Sequence, residues 1–344
     1  MAHTTLATKY RPRTFEDVTE QGLVVQILQN MCKSELSSRN FLLVGPAGTG
    51  KTTLSRIVAN TLNEGLGEPI EIDAASNSGV DAMRDIIQQA RQYPIAGKYK
   101  IFIIDECHSI SSAGWQSLLK TLEESPARSV FMFCTTNPEK IPATILSRVT
   151  EFQLSKISLE GIFKRLKHVL DAEISSGRDI TYDDDSVNFI AKLANGGMRD
   201  ALTMTDKVLA YSNSIDAASL SEALSLPHYD DYFSLLSAYS KKDNSSITSI
   251  IHTVYDSGVN FVKWFEGFHS FVINIVTYIY LKDINQTMIP SHYQSKIANY
   301  NEAHSAVCLK LANKLVSLIH ELKSTNYQRE IAITYLCSPK STKG

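Results

Sequence analysis

Paired cysteines are missing from this sequence: Cys32, Cys107, Cys134, Cys308 and Cys337 are scattered and no C-x-x-C occurs. That argues against a zinc site and a disulfide framework, and for reduced thiols in a cytoplasmic setting. Charge of one sign is missing too. The 34 basic residues face 36 acidic ones, a net of −2, so any contact with nucleic acid has to come from a local patch. No apolar signal segment opens the chain. The most apolar window, Phe261–Leu281, is interrupted by Lys263, Glu266 and His269 and reads as a buried helix rather than a bilayer span. Short repeats and low-complexity tails are absent. What is present is a globular composition, 43% hydrophobic and 20% charged over 344 residues, which allows two or three domains.

Against that background one stretch stands out. Gly45, Pro46, Ala47, Gly48, Thr49, Gly50, Lys51 and Thr52 fit the spacing G-x-x-x-x-G-K-[ST]. Residues 41–44 (Phe-Leu-Leu-Val) read as a buried strand before it, and Thr52–Leu62, with Thr53 in its first turn, as a helix after it. Strand, glycine loop and helix in this order are the context the pattern requires. The glycines let backbone N–H groups close around phosphate oxygens, and the helix N-terminus adds partial positive charge. Lys51 is expected to reach the β- and γ-phosphates, and the Thr52 hydroxyl to hold Mg²⁺.

Further strands are expected at Ile70–Asp73, Lys100–Ile104 and Ser129–Thr135, with helices at Gly79–Gln92 and Ala113–Leu122 between them. Strands joined by helical crossovers imply an α/β fold, a parallel sheet with helices on both faces and its ligand at the carboxyl ends of the strands. After Phe152 the strand signal stops. Ser158–Ser176, Asp185–Ala194 and Met198–Ala210 form a three-helix unit, in whose second helix Val187, Ile190, Ala191 and Ala194 share one face. From Ala217 onward the chain reads as all-helical, over Asp231–Ser240, Ser246–Tyr255, Phe261–Leu281, Ala303–Leu322 and Gln328–Cys337.

The apolar run Ile101–Ile104 ends in Asp105 and Glu106. Such a strand delivers Asp105 toward the metal and leaves Glu106 to polarise a water for attack on the γ-phosphate. The next strand ends in Thr135, Thr136 and Asn137. Thr136 is the choice for a polar group near that water, Thr135 is a credible substitute, and Asn137-Pro138 also reads as turn chemistry. Arg148 in Ile145-Leu-Ser-Arg-Val is either a surface arginine or a finger that reaches a neighbouring subunit's nucleotide. Arg199 in Gly196-Gly-Met-Arg-Asp200 either folds over the nucleotide or pairs with Asp200.

In this order the motifs resemble the AAA+ ATPase subunits of sliding-clamp loaders, the gamma/tau type of bacterial DNA polymerase III and the replication factor C small subunits among them. Leu6–Val18, Leu119–Pro126, Ile145–Arg148 and Met198–Leu202 carry the likeness, dense over residues 6–210, and Glu330–Leu336 resembles the last collar helix. The resemblance implies an ATP-hydrolysing motor of DNA replication. Its nucleotide-binding domain would span 1–153, a helical lid 154–214, an oligomerising collar 215–339 and a tail 340–344. It implies that Tyr10, Arg11, Pro12 and Val18 belong to the segment that packs on adenine. It puts Thr136 at sensor 1, Arg199 at sensor 2 and Arg148 in the serine-arginine-cysteine motif acting in trans, with Val149 in place of the cysteine. Partners implied are a sliding clamp, primer–template DNA and other loader subunits in a ring, as a pentamer.

Two departures accompany the likeness. Only Asn63–Pro69 stands where gamma subunits carry a four-cysteine zinc module, and no extra domains follow the collar. Both suggest a minimal loader of the kind a bacteriophage or a reduced genome encodes, phage-type being the expectation, acting in a bacterial or phage-infected cytoplasm. The resemblance implies DNA phosphates at Asn77, Ser78, Val80 and Arg84; residues 76–100 carry four basic side chains against two acidic ones, and a solvated helix face is the alternative reading. Gln92-Tyr-Pro-Ile95 resembles the clamp-contacting region, with core packing as the alternative. Two other functions compete. Asp105-Glu-Cys-His108 also suits a superfamily 2 helicase, which needs a second motor domain and a late arginine-rich motif. A catalytically silent stator is opposed by intact Lys51, Thr52, Asp105 and Glu106.

Overall fold

A computed structural model describes residues 4–33, 39–124, 126, 128–226 and 229–337. The expected tail 340–344, the last two collar residues and Ser125 lie outside the described residues. The chain divides into two compact units, Met1–Ile180 with Ile190–Ala210, and Thr181–Phe189 with Tyr211–Gly344.

The first unit opens with helices α1 (Leu6–Lys9) and α2 (Gly22–Lys33). There follow β1 (Asn40–Val44), α3 (Lys51–Leu62), β2 (Ile70–Asp73), α4 (Val80–Ala90), β3 (Lys100–Asp105), α5 (Ser112–Glu124), β4 (Ser129–Thr135), α6 (Ala143–Leu146), β5 (Thr150–Gln153) and α7 (Leu159–Ser175). The five strands form one parallel sheet in the order β2-β3-β4-β1-β5. Side chains on successive strand residues point to opposite faces. Accordingly Leu42, Val44, Phe102, Ile104, Phe131 and Phe133 pack with α4 and α5, while Phe41, Leu43, Ile101, Ile103, Val130 and Met132 pack with α2 and α3. Both faces are covered, which is why the three inner strands read as unbroken apolar runs.

Besides the short helices α1 and α6, two further elements of this unit were not anticipated. Helix α2 precedes the sheet, and β5 adds a fifth strand whose sequence, Thr-Glu-Phe-Gln, buries only Phe152. An edge strand covered on one face carries too few apolar residues to announce itself.

The next elements are β6 (Thr181–Tyr182), α8 (Asp184–Leu193), α9 (Met198–Tyr211) and β7 (Ser214–Ile215), which pairs with β6. Helix α7 starts at Ser158, whose Oγ accepts from Gly161 N at 3.0 Å. The face anticipated on α8 is buried: Val187, Ile190, Ala191 and Ala194.

The second unit continues as helices α10 (Ala217–Leu224), α11 (Tyr229–Lys241), α12 (Asn244–Asp256), α13 (Phe261–Leu281), α14 (Gln294–Ile297), α15 (Glu302–Leu322) and α16 (Gln328–Leu336). Its core gathers Tyr232, Phe265, Phe268 and Phe271 with the buried face of α15. Tyr232 keeps its hydroxyl satisfied by donating to Trp264 O at 2.9 Å. No helix among the described residues is long and apolar enough to cross a membrane.

Candidate nucleotide site

The loop Gly45–Gly50 joins the end of β1 to the start of α3, so the first backbone N–H groups of α3 face the carboxyl edge of the sheet. Gly50 caps that helix at φ +104°, a left-handed conformation that favours glycine. Because β4 lies between β1 and β3, this loop and the acids at the end of β3 flank the tip of β4.

Side chains from all three strand ends meet there. The Thr52 hydroxyl donates to Asp105 Oδ2 at 2.7 Å, and Glu106 N donates to Asp105 Oδ1 at 3.0 Å. Lys51 is buried and its Nζ donates to Gly45 O at 2.8 Å and Pro46 O at 2.9 Å. Burial pulls its ammonium below the usual lysine range, an effect opposed by Cys134, Glu106 and Asp105. Glu106 sits at φ +47°, a strained conformation for a residue with a side chain. Its Oε2 accepts from Thr136 Oγ1 at 3.4 Å and lies 3.3 Å from His108 Nδ1, which in turn is 3.1 Å from Thr135 Oγ1. His108 was not among the anticipated site residues. Its place three residues after the strand's last acid was visible, but only the fold shows the ring turning back onto Glu106.

Lys51, Thr52, Asp105 and Glu106 line a cavity of about 190 Å³ together with Ala47, Gly48, Thr49, Gly50 and Thr53, whereas Thr136, His108, Gly45 and Pro46 are not among its lining residues. Tyr10, Arg11, Pro12, Val18 and Arg199 line the same cavity. Burial first, then the Arg56 charge and more weakly Arg199, holds the Arg11 guanidinium below its usual range. Ala7, Thr19, Ile157, Arg165, Met198 and Leu202 also line the cavity and were missed. Met198 and Leu202 lie four apart on α9, a helix-face signal that points to packing as readily as to a ligand. The loop touches the start of that helix directly: Met198 N donates to Gly48 O at 3.1 Å.

The donor set suits Mg²⁺. Thr52 and Asp105 offer hard oxygen ligands 2.7 Å apart, and such an ion takes one or two protein oxygens alongside substrate phosphates.

Other anticipated residues lie elsewhere. Arg148 is not among the cavity's lining residues. Its Nε donates to Glu123 Oε1 at 2.8 Å, with a second contact from Nη2, and its Nη1 donates to Thr144 O at 2.6 Å. Arg84 pairs with Asp81 at 3.0 Å, both exposed, and the Asn77 amide donates to Asp73 O at 3.1 Å. Ser78 O accepts from Ser111 N at 3.0 Å, and Val80 opens α4. Tyr93 and Ile95 are 76% and 102% exposed, so core packing does not explain the 92–95 turn.

Sheet order, phosphate loop, acid pair and the helices that close over them define an AAA+ ATPase. The chain superposes on the Thermotoga maritima RuvB Holliday junction branch migration motor with a TM-score of 0.52 at 19% identity, over 67% of this chain and 78% of that one, a likeness of fold. A family model described as the DNA polymerase III clamp loader subunit ATPase lid domain matches residues 161–214, and one described as the DNA polymerase III delta subunit matches 68–158. The gamma subunit of Buchnera aphidicola subsp. Baizongia pistaciae is 32% identical over 87% of this chain and 88% of its own length. The Bacillus subtilis tau subunit is 30% identical over 98% of this chain, and the Escherichia coli tau subunit 32% over 75%. The chain belongs to the DNA polymerase III gamma/tau family of clamp-loader subunits. It spans 64% of the length of the Bacillus subtilis subunit and 43% of the Escherichia coli one. The helicase alternative needs a second motor domain; among the described residues the second unit is helical apart from the short β6–β7 pair.

Proposed function

We propose that this chain is the ATP-hydrolysing motor of a cytoplasmic sliding-clamp loader, working in a ring, a pentamer, with other loader subunits. The observation that carries it is the 2.7 Å contact between Thr52 and Asp105 beside Lys51 and Glu106, which gathers the phosphate-binding and hydrolytic groups in one cavity. The loop N–H groups and Lys51 bind the β- and γ-phosphates of ATP. Thr52 and Asp105 hold Mg²⁺, which neutralises charge between phosphate oxygens. Glu106 orients the attacking water and takes its proton, and Thr136 fixes the Glu106 carboxylate. Arg199 contacts the phosphates from α9, so that a lid comprising residues 154–214 responds to ATP. Arg148 serves the ATP of the adjacent subunit, which fits its absence from the lining of this one.

The remaining surfaces divide the other tasks. Asn77, Ser78, Val80 and Arg84 track primer–template phosphates, Tyr93 and Ile95 press on the clamp, and the helices from residue 215 onward form the collar. ATP binding opens the clamp and grips DNA; hydrolysis releases the closed clamp. The test is ATPase activity of the chain with partner subunits, with and without primed DNA and the cognate clamp. Stimulation that needs both ligands is the expected result. Turnover indifferent to both removes the loader reading.

A further inference from the structure

Tyr10 faces two ways. It lines the cavity, and its hydroxyl donates to Glu173 Oε1 at 2.6 Å. Glu173 lies in the last turn of α7 and is only 4% exposed, yet it is not part of the cavity lining. Three donors converge on its carboxylate: the Tyr10 hydroxyl, Lys9 Nζ at 2.5 Å and Arg178 Nη1 at 3.3 Å. Two turns earlier on the same helix, Arg165 Nη2 donates to Tyr10 O at 3.1 Å, and Arg165 itself lines the cavity. Helix α7 therefore grips Tyr10 at both ends, by its carbonyl and by its hydroxyl. A buried carboxylate is costly unless its lone pairs are satisfied, and directional bonds to it fix geometry as apolar packing does not.

We propose that Glu173 is a positioning residue for nucleotide recognition. It tethers the Lys9–Tyr10 step so that Tyr10, Arg11 and Pro12 face the purine of ATP, while the phosphate loop works independently of it. This deepens the ATPase reading above and rests on it. The chemistry selected is a planar base against an aromatic ring and a proline, not the triphosphate.

The test compares two probes on the full chain: ATP, and inorganic tripolyphosphate, which has the phosphates but no base. Tyr10→Phe keeps the ring and removes the hydroxyl; Glu173→Ala removes the acceptor. Each is expected to weaken ATP binding about tenfold, the loss of one charge-assisted hydrogen bond's worth of order. Tripolyphosphate affinity is expected to stay within about twofold in both variants. The double variant is expected to bind ATP no worse than the weaker single, because the two groups act as one unit. Equal weakening of both probes would make Glu173 a general stabilising residue and overturn the proposal. So would unchanged ATP affinity in Tyr10→Phe, which preserves packing and serves as the control should Glu173→Ala fold poorly. If the unaltered chain bound neither probe, the ATPase reading itself would fall; if it binds and hydrolyses ATP while the variants match it, only the role of Glu173 is lost.

Discussion

The phosphate side of the cavity and the wall facing it are built on different principles. Lys51, Thr52, Asp105, Glu106 and Thr136 stand at the tips of adjacent strands or at the start of the helix that follows, and the parallel ladder fixes their spacing. The opposite wall is assembled from an N-terminal segment, α7 and α9, held by single side-chain bonds such as Tyr10 to Glu173 and Arg165 to Tyr10 O. A sheet edge is rigid because its backbone bonds are cooperative and its faces buried. A wall made of a short segment tied to helices is adjustable. The difference suits a site that must hold phosphates in a constant place while the rest of it responds to what is bound.

The sharpest way to break this comparison is at the residue that belongs to neither side. Arg148→Ala is expected to leave ATP affinity of the isolated chain unchanged, since its bonds to Glu123 and Thr144 are outside the cavity lining. In an assembled ring it should lower turnover at the neighbouring site by about a thousandfold or more, the scale of an arginine finger. Mixed rings of altered and unaltered chains, assayed for ATPase, check it; loss of ATP binding by the altered chain alone would put Arg148 in its own site. Next in size is Glu106→Gln. It keeps shape and the contact with Thr136 but cannot take a proton, so hydrolysis should fall by about a hundredfold to ten-thousandfold with ATP affinity retained. Single-turnover kinetics beside equilibrium binding separates the two.

The same contrast explains what could be read from the residues alone. The phosphate loop, the Asp105–Glu106 pair and four of the five strands are contiguous signals: apolar runs that end in chemistry. They were legible because buried parallel strands leave no other reading for Phe41–Val44 or Ile101–Ile104. Strand β5 was not, since only Phe152 is buried in it. His108 was passed over because its contact with Glu106 depends on the left-handed turn at Glu106, which no residue type announces. Ile157, Met198 and Leu202 were not singled out as site residues, and only tertiary packing brings them to the cavity. Likewise Glu173 is one of three acids in its helix until Lys9 and Tyr10 arrive from 164 and 163 residues away.

A smaller effect probes the seam between the two sides. Gly48 has φ +72°, and a Cβ there would lie 3.0 Å from Gly197 Cα. Gly48→Ala should cost about 1–2 kcal/mol from the backbone conformation alone, with a further penalty from that contact. Thermal unfolding measures the loss. Unchanged stability would mean that the loop and the start of α9 are not packed as described.

The smallest expected effect is a pH dependence of the adjustable wall. Burial raises the Glu173 pKa, but hydrogen bonds from Lys9, Tyr10 and Arg178 outweigh it, and the carboxyl sits below its ordinary value of 4.5. A carboxyl with a depressed folded-state pKa contributes stability that is fully present above the unfolded value and disappears as pH falls through the folded value. The melting temperature of the unaltered chain should therefore exceed that of Glu173→Gln by a constant margin above about pH 5, and the margin should shrink as pH drops below the ordinary carboxyl range. A margin that stayed flat into acid would mean that Glu173 holds the segment by shape and not by charge, and the distinction between a rigid side and an electrostatically tethered one would have to be redrawn.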